Sequence, residues 1–334
     1  MIFKVKTKIK MNSILLIGDP HFKVSNPLES QQLHEEVIRV IKERNDEIDF
    51  IVVLGDILDT HEKVHIQPLC RSINFLRIIS ELKKTYVLIG NHDRINNNVY
   101  LTEQHAFLSL KNQSEDLIIV DETVSDGRFC FVPYVPNGRF IEAIGEHFDG
   151  KDCFFAHQEF KGCKMGGIIS ENGDEWDESS PPVFSGHIHD YQKPQENIIY
   201  TGTPFQHSFG DEEDKGIFLL KFEDPRNWEL EKIELNIIKK KYISMNISEF
   251  EDYQIPRNCL LKINFIGESS VIKQQLMRKD ISDKIKKNNI KYKIVCKKSK
   301  KLITDKSNNF LDNLNSRIKN SDKNIKSLYE EIFL

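Results

Sequence analysis

The sequence predicts an α/β fold, on three observations. Short apolar runs alternate with helical stretches in the first part of the 334-residue chain, these runs are continuous, and several of them end in a glycine followed by a polar residue. Continuous apolar runs are typical of parallel strands that are covered on both faces. A chain of this length also favours one large domain with a smaller appendage.

The first five elements alternate in type. Strands are predicted at 13–19, 49–56 and 85–91, and helices at 31–45 and 66–83, where apolar residues recur with helical spacing. The order β-α-β-α-β predicts a parallel sheet. Further strands with few helices between them predict a second sheet packed on the first. These strands are LIIVD, RFCFVPYV, DCFFAH, PVFSGHIH, NIIYTGT and GIFLLKF.

The character of the chain changes after about residue 240. Strand-like segments around one helical segment at 270–287 predict a small α+β unit, and a polar break then precedes a last helix. Apolar residues recur every seven positions in that helix, so it needs a partner, either this protein's own small unit or another helix. The predicted domains are 11–238, 239–303 and 304–334.

Charge is distributed unevenly along the chain. The formal net charge is -4, but residues 273–306 hold 13 Lys or Arg against 3 Asp or Glu. A region this basic can face a polyanion such as nucleic acid, and a solvated surface is the alternative.

Cysteine content and hydropathy indicate the compartment. Six cysteines without a C-x-x-C pair argue against a zinc ribbon or a disulfide framework. They favour a reducing, intracellular compartment, the cytoplasm or nucleus, or a host cell if the protein is viral. No apolar stretch approaches the roughly 20 residues that span a bilayer, so no membrane association is expected. The N-terminal MIFKVKTKIK lacks the features of a secretory signal and leaves Met1 and Met11 both open as the start.

Polar side chains follow five of the predicted strands, in the motifs GDPH, GDILD, GNHD, FFAHQ and SGHIH. In an open α/β sheet the carboxyl ends of the strands meet along one edge, where ligands bind. Taken singly, an Asp after a strand is often a helix cap, and a lone His is more often a core residue than a ligand. Five strand ends with the same kind of residue favour a metal site. Its candidate ligands are Asp19, His21, Asp56, Asn91, His157, His187 and His189.

The donor types narrow the chemistry of this site. Carboxylates, imidazoles and an amide oxygen without thiolate suit Mn²⁺, Fe²⁺ or Zn²⁺ in an open site better than a closed structural zinc. Seven ligands are too many for one ion. They divide naturally between two ions about 3.5 to 4 Å apart that share one carboxylate, an arrangement that clamps the attacking and leaving oxygens of a phosphoryl displacement.

Together these motifs resemble the signature of the calcineurin-like metallophosphoesterases over roughly residues 13–235. The resemblance implies a four-layer α-β-β-α sandwich of two mixed sheets. Residues 184–220, with Gly-Thr-Pro followed by GDEEDKG, are similar to the nuclease subunit of SbcCD-type complexes, a group that includes phage recombination endonucleases and the MRN nuclease. That likeness implies a DNA exonuclease or endonuclease that acts in double-strand-break repair, recombination or replication.

The resemblance also implies roles for residues at the site. Two divalent ions, with Mn²⁺ as the expected metal, would share Asp56. His92 would sit over the scissile phosphate, Asp59 would hold its other ring nitrogen, and Asp93 would anchor the turn. Pro20 departs from the usual motif, and Asp59 stands where eukaryotic and archaeal members carry His, as in the bacterial and phage branch. Asp19, His21, Asp56 and His189 are assigned to one ion, and Asp56, Asn91, His157 and His187 to the other.

The later part of the chain is similar to the capping domain and partner-binding segment of these nucleases. The resemblance implies that the small unit holds DNA, that the final helix at 304–334 docks on the coiled coil of an SbcC-type ATPase, and that two copies can form a homodimer. The lysines expected to contact DNA are Lys297, Lys298, Lys300 and Lys301.

Three alternatives stay open at this stage. A phosphoprotein phosphatase of the superfamily would show Arg-Gly after GDxxD and Glu after GNH, whereas this chain reads GDILDTHE and GNHD. A phosphodiesterase of small nucleotides shares the metal ligands but does not explain the basic small unit. An inactive binding module is expected to have lost ligands, and all of them are present here.

Overall fold

The computed structural model describes residues 11–296. Met1, the four lysines expected to contact DNA and the segment 304–334 lie outside the described residues. The helices are α1 (Pro27–Glu43), α2 (Ile66–Leu82), α3 (Phe140–Ile144), α4 (Ser269–Leu276) and α5 (Lys279–Lys287). The strands are β1 (Asn12–Ile17), β2 (Phe50–Val53), β3 (Thr85–Leu88), β4 (Leu117–Val120), β5 (Val124–Asp126), β6 (Phe129–Val132), β7 (Cys153–His157), β8 (Lys164–Met165), β9 (Ile168–Ile169), β10 (Val183–Gly186), β11 (Gln192–Gln195), β12 (Ile198–Tyr200), β13 (Ile217–Asp224), β14 (Asn227–Ile233), β15 (Lys239–Met245), β16 (Cys259–Gly267) and β17 (Lys291–Cys296).

Two six-stranded mixed sheets form the larger part of the described chain. The first has the order β14-β13-β1-β2-β3-β4, in which β1 to β4 are parallel and β13 returns antiparallel to β1. The second has the order β11-β12-β10-β7-β6-β5, with a parallel centre and antiparallel edge strands. The α/β fold with two mixed sheets is therefore confirmed.

Alternation of side chains along β1 shows how the layers form. Leu15 faces α1 and α2 in a cluster with Phe75, whereas Leu16 faces the second sheet in a cluster with Phe155. A third apolar cluster, which includes Phe140 of α3, covers the other face of the second sheet. Because both faces of these strands are covered, their sequences are apolar throughout. The layers run helix, sheet, sheet, helix.

The described chain divides into two compact units. The first reaches Tyr242 and also takes Ile255–Lys262, and the second contains Ile243–Gln254 and resumes at Ile263. The sequence placed this boundary after residue 238. The small three-stranded sheet has the order β15-β16-β17.

The single helical segment predicted at 270–287 is two helices in the structure. The chain is extended at Arg278, with φ -61° and ψ 134°, which ends α4 and starts α5. The Arg278 guanidinium pairs with Glu251 and Asp280 at 3.1 and 2.6 Å. The break allows Ile281 of α5 to be buried as well as Ile272 of α4, which one continuous helix would place on opposite faces.

Among residues 11–296, no helix combines the length and apolar character that crossing a bilayer requires.

Candidate metal centre

All seven candidate ligands follow or end strands at the same edge of the two sheets in the first unit. They come after β1, β2, β3 and β10, and His157 is the last residue of β7. The structure therefore brings them together as the convergence of parallel strands predicts. We call this group of seven residues the metal centre.

A glycine precedes the ligand at four of these strand ends, and close approach explains why. A Cβ added at Gly90 would meet the main-chain nitrogen and the carboxylate of Asp56, and one at Gly55 would meet the His157 ring. Gly55 also has a φ of 98°, in the left-handed region. Only a residue without a side chain lets the ligand loops come this close.

Three of the candidate ligands themselves have left-handed backbone conformations. The φ angles are 43° at His21, 47° at Asp56 and 81° at His187. Such values are rare outside glycine and cost roughly 1–3 kcal/mol each, so the surrounding structure must hold them. Here the His21 amide donates to the Asp56 carbonyl at 3.0 Å, and the His187 amide donates to Asp19 Oδ1 at 2.9 Å. Strain of this kind is concentrated at functional sites.

One half of the metal centre gathers around Asn91. Its Oδ1 lies 3.0 Å from His157 Nε2 and 2.9 Å from His187 Nδ1. Asp56 Oδ1 is 3.3 Å from the same His157 nitrogen. His157 Nδ1 donates to the Leu54 carbonyl at 2.7 Å, which orients the ring with Nε2 toward the centre. Donor atoms of Asp56, His157 and His187 lie within 4.8 Å of one another.

The other half gathers around His21. Its Nε2 faces His189 Nε2 at 3.0 Å, and its Nδ1 donates to the Leu58 carbonyl at 3.0 Å. The second oxygen of Asp56 is 3.7 Å from His21 Nε2. Oδ2 of Asp19 is buried without a hydrogen-bond partner among the described residues. The two oxygens of Asp56 thus face different histidines.

This arrangement fits two cations. Donors that each lie about 2.1 Å from one ion are held about 3 Å apart, which is the spacing of the nitrogen and oxygen pairs here. The two facing imidazole nitrogens of His21 and His189 need a proton or a cation between them. The buried Asp19 Oδ2, which has no hydrogen-bond partner among the described residues, also needs a proton or a cation. Asp56 is the residue placed to bridge the two halves.

In the metal-free protein, burial and neighbouring charges decide which residues of the metal centre carry a proton. Burial, together with the Asp56 charge, raises the pKa of Asp19 to about 8. Burial opposes a charge on His157, but Asp56 and Asp19 raise its pKa to about 9. Burial lowers the pKa of His21 to about 3 and that of His187 to about 4. At neutral pH, Asp19 and His157 therefore hold protons, and His21 and His187 are neutral.

We expect Mn²⁺ binding to the metal-free protein at pH 7 to release about two protons, because Asp19 and His157 must lose theirs to become ligands. Since the two pKa values are raised to about 8 and about 9, affinity should increase with pH up to and beyond pH 9, until both groups are deprotonated. Calorimetry in two buffers with different ionisation enthalpies measures the proton count. Binding that releases no protons at pH 7 would contradict this protonation state.

His92 stands beside the metal centre with one nitrogen facing it. Its Nδ1 donates to the main-chain carbonyl of Asp59 at 2.8 Å, and its amide donates to Asp56 Oδ1 at 2.8 Å. Its Nε2 is 3.9 Å from Asp56 Oδ2, and the side chain is 30% exposed. The ring is thus placed next to the Asp56 carboxylate and is partly exposed.

Asp59 contacts His92 as expected, but it does so through its main-chain carbonyl and not through its carboxylate. The carbonyl of Asp59 holds His92, and the carboxylate points elsewhere, to Lys23 Nζ at 3.1 Å. The direction of a main-chain carbonyl depends on the turn after β2, which residue identity does not reveal. Asp93 anchors the turn after β3, since it accepts main-chain N–H groups of Ile57, Leu58 and Gly90.

Two histidines near the site were missed by the sequence reasoning. His207 Nε2 donates to the Asp19 carbonyl at 3.1 Å, and its ring meets His21 edge-on at 5.0 Å between centroids. His61 stacks on His92, with centroids 4.2 Å apart and planes at 27°. Neither directly follows a strand, and the candidate ligands were chosen because they follow strands, so these two histidines were not selected. His207 does lie inside the TGTPFQHSFG segment that carried the nuclease resemblance.

The chain matches one family model, curated viral proteins and a solved structure. A family model described as "Calcineurin-like phosphoesterase" matches residues 13–223. The chain is 43% identical over 270 residues to "Putative phosphoesterase 244L" of Invertebrate iridescent virus 6, which covers 77% of this chain and 94% of that protein. It is also 43% identical over 248 residues to "Putative phosphoesterase 078R" of Invertebrate iridescent virus 3, which covers 72% and 70%. A crystal structure of Pseudomonas putida nuclease MPE matches with a TM-score of 0.32 and 15% identity, over 62% of this chain and 84% of that chain.

Proposed function

The chain belongs to the calcineurin-like phosphoesterase family, a family of metal-dependent hydrolases, and we propose that it is a two-metal phosphodiesterase that cuts DNA. The observation that carries the proposal is the metal centre itself, with Asp56 between two sets of donors and His92 Nε2 beside it. Phosphoryl transfer depends on positioning and on neutralising charge around the phosphorus, and this arrangement provides both.

The protein's own residues account for the proton that cleavage requires. Bound ions would supply Lewis-acid activation of water and neutralise charge on the phosphoryl oxygens. His92 keeps a proton on Nδ1 because that atom donates to the Asp59 carbonyl. A second proton, on Nε2, would pass to the leaving oxygen, which makes His92 the general acid.

Basic residues of the second unit support DNA as the substrate. Lys286 and Lys287 at the end of α5 and Lys293 of β17 are exposed. Proteins bind duplex DNA chiefly by neutralising its phosphates. In this proposal Lys297, Lys298, Lys300 and Lys301 extend the same basic stretch.

We also propose binding partners and a biological process for this protein. The segment 304–334 docks on an SbcC-type coiled-coil ATPase, two copies form a homodimer, and the cleavage serves DNA repair or recombination with Mn²⁺ as the native metal. The family resemblance and the heptad spacing support these assignments, and the segment lies outside the described residues.

A substrate panel tests the proposal. We expect the purified protein with Mn²⁺ to cleave linear duplex or single-stranded DNA, to lose that activity with a chelator and to regain it with added Mn²⁺. Cyclic nucleotides and a phosphoprotein, assayed in parallel, represent the small-nucleotide phosphodiesterase and the phosphatase. An Asp56→Asn variant purified identically controls for contaminating nucleases. Turnover of cyclic nucleotides or phosphoprotein without DNA cleavage would overturn DNA as the substrate.

A further inference from the structure

One turn after β2 contacts His92 in two ways. The carbonyl of Asp59 accepts the proton of His92 Nδ1, and two residues later the ring of His61 lies nearly flat on the His92 ring, 4.2 Å between centroids. The turn is closed by Thr60 Oγ1, which donates to the Lys63 carbonyl at 2.6 Å. Hydrogen bonding and stacking on His92 thus come from one short, closed segment.

His92 needs such a contact because few other contacts hold its ring in the part of the chain that the structure describes. The side chain is 30% exposed, and its other ring neighbour, His21, meets it edge-on at 5.1 Å. One hydrogen bond at Nδ1 fixes the direction of the ring but still allows it to tilt about that bond. A stacked ring resists the tilt, since aromatic pairs hold preferred offsets. Proton transfer requires heavy atoms about 2.6–3.2 Å apart, so tilting is costly for catalysis.

We infer that His61 is a positioning residue, which holds the His92 ring by stacking so that Nε2 faces the leaving oxygen of the phosphodiester. The inference rests on the proposed function, because it assigns His61 a part in that cleavage. In this role His61 acts through the face of its ring. Its ring also hydrogen-bonds to the main chain of Asn91. His61→Phe and His61→Ala both remove that bond, so a phenyl ring replaces the stack alone and a methyl group replaces neither contact.

Three variants test the stack. His61→Ala should lower kcat on DNA by about 10- to 10²-fold, the cost of misplacing a catalytic group by about 1 Å, with KM and the content of two Mn²⁺ per chain unchanged. His61→Phe should recover most of the kcat. His65→Ala, at an exposed histidine just before α2, is the matched control and should behave as wild type. Equal losses in His61→Ala and His61→Phe would overturn stacking as the cause, as would full activity of His61→Ala.

The leaving group provides a second, independent measurement. Bis(p-nitrophenyl) phosphate releases a phenolate that needs no proton, so His61→Ala should cleave it at nearly the wild-type rate with both metals bound. An equal loss on this ester and on DNA would mean that His61 supports the metal centre or the fold instead, and would overturn the inference.

The two proposals fail in different ways. If the wild type cleaves DNA and His61→Ala matches it, only the inference fails. If the wild type cleaves cyclic nucleotides and not DNA, the proposed function fails. The same variants are then compared on the cyclic nucleotide, whose alkoxide leaving group also needs a proton.

Discussion

Asp56→Ala is expected to remove both metal ions and to reduce phosphodiester cleavage to background. Its two carboxylate oxygens face different histidines, with Oδ1 3.3 Å from His157 Nε2 and Oδ2 3.7 Å from His21 Nε2. Burial opposes ionisation of Asp56, yet His157, His21 and His92 hold its pKa well below the usual range. The carboxylate is therefore ionised and is the common anion of both halves, so its loss leaves neither half complete.

Elemental analysis and calorimetry measure the metal content, and circular dichroism checks that the variant is folded. Asp121→Asn is the matched control, because Asp121 is also a buried carboxylate after a strand but pairs with Lys111 and His105 instead. That variant should keep about two ions per chain. An Asp56→Ala protein that still binds two Mn²⁺ per chain would disprove the bridging assignment.

His92→Ala is expected to keep both ions and to lose roughly 10²- to 10⁴-fold in turnover, the range for removal of a general acid. The ions stay because the variant retains the main-chain amide that donates to Asp56 Oδ1, and none of the seven donors is changed. Turnover falls because the variant lacks the proposed proton donor, His92 Nε2, while His21 and His157, which also lie beside Asp56, are candidate metal ligands.

Steady-state kinetics on DNA, with metal analysis of the same preparation, separates these effects. His147→Ala, which removes an imidazole bound to Ser125 on β5, is the control and should leave turnover unchanged. Full activity of His92→Ala would exclude His92 from the mechanism. Loss of metal from that variant would make it a ligand.

The small unit shows where prediction from sequence failed within a correct outline. Strand and helix patterns indicated an α+β unit after about residue 240, but one helix was predicted where α4 and α5 are separated at Arg278. Ile281 and Ile285 share one helix face, but Ile272 lies nine residues before Ile281 and would face the opposite side of one continuous helix, so burying all three requires the break. Only packing of both helices in one core decides that the chain must turn there.

The metal centre shows the opposite case, in which local sequence was sufficient. Parallel strands end at one edge, so a motif that places a ligand directly after a strand also places it in space. The glycines in those motifs indicate that the loops pack closely, as Gly55 does against the His157 ring and Gly90 against Asp56. Asp19, Asp56 and Asn91 could therefore be grouped from sequence without any knowledge of the order of strands in the sheets.

By itself, the sequence determined the class of fold and grouped the seven candidate ligands, because each depends on a pattern within one strand and the few residues after it, and the family resemblance placed His92 beside them. The tertiary structure decided that β13 returns beside β1, that Asp59 acts through its carbonyl, and that His61 and His207 lie against His92 and His21. These contacts depend on the direction of turns and on the packing of distant segments. No local pattern encodes either one, since both are fixed only when the two sheets pack together.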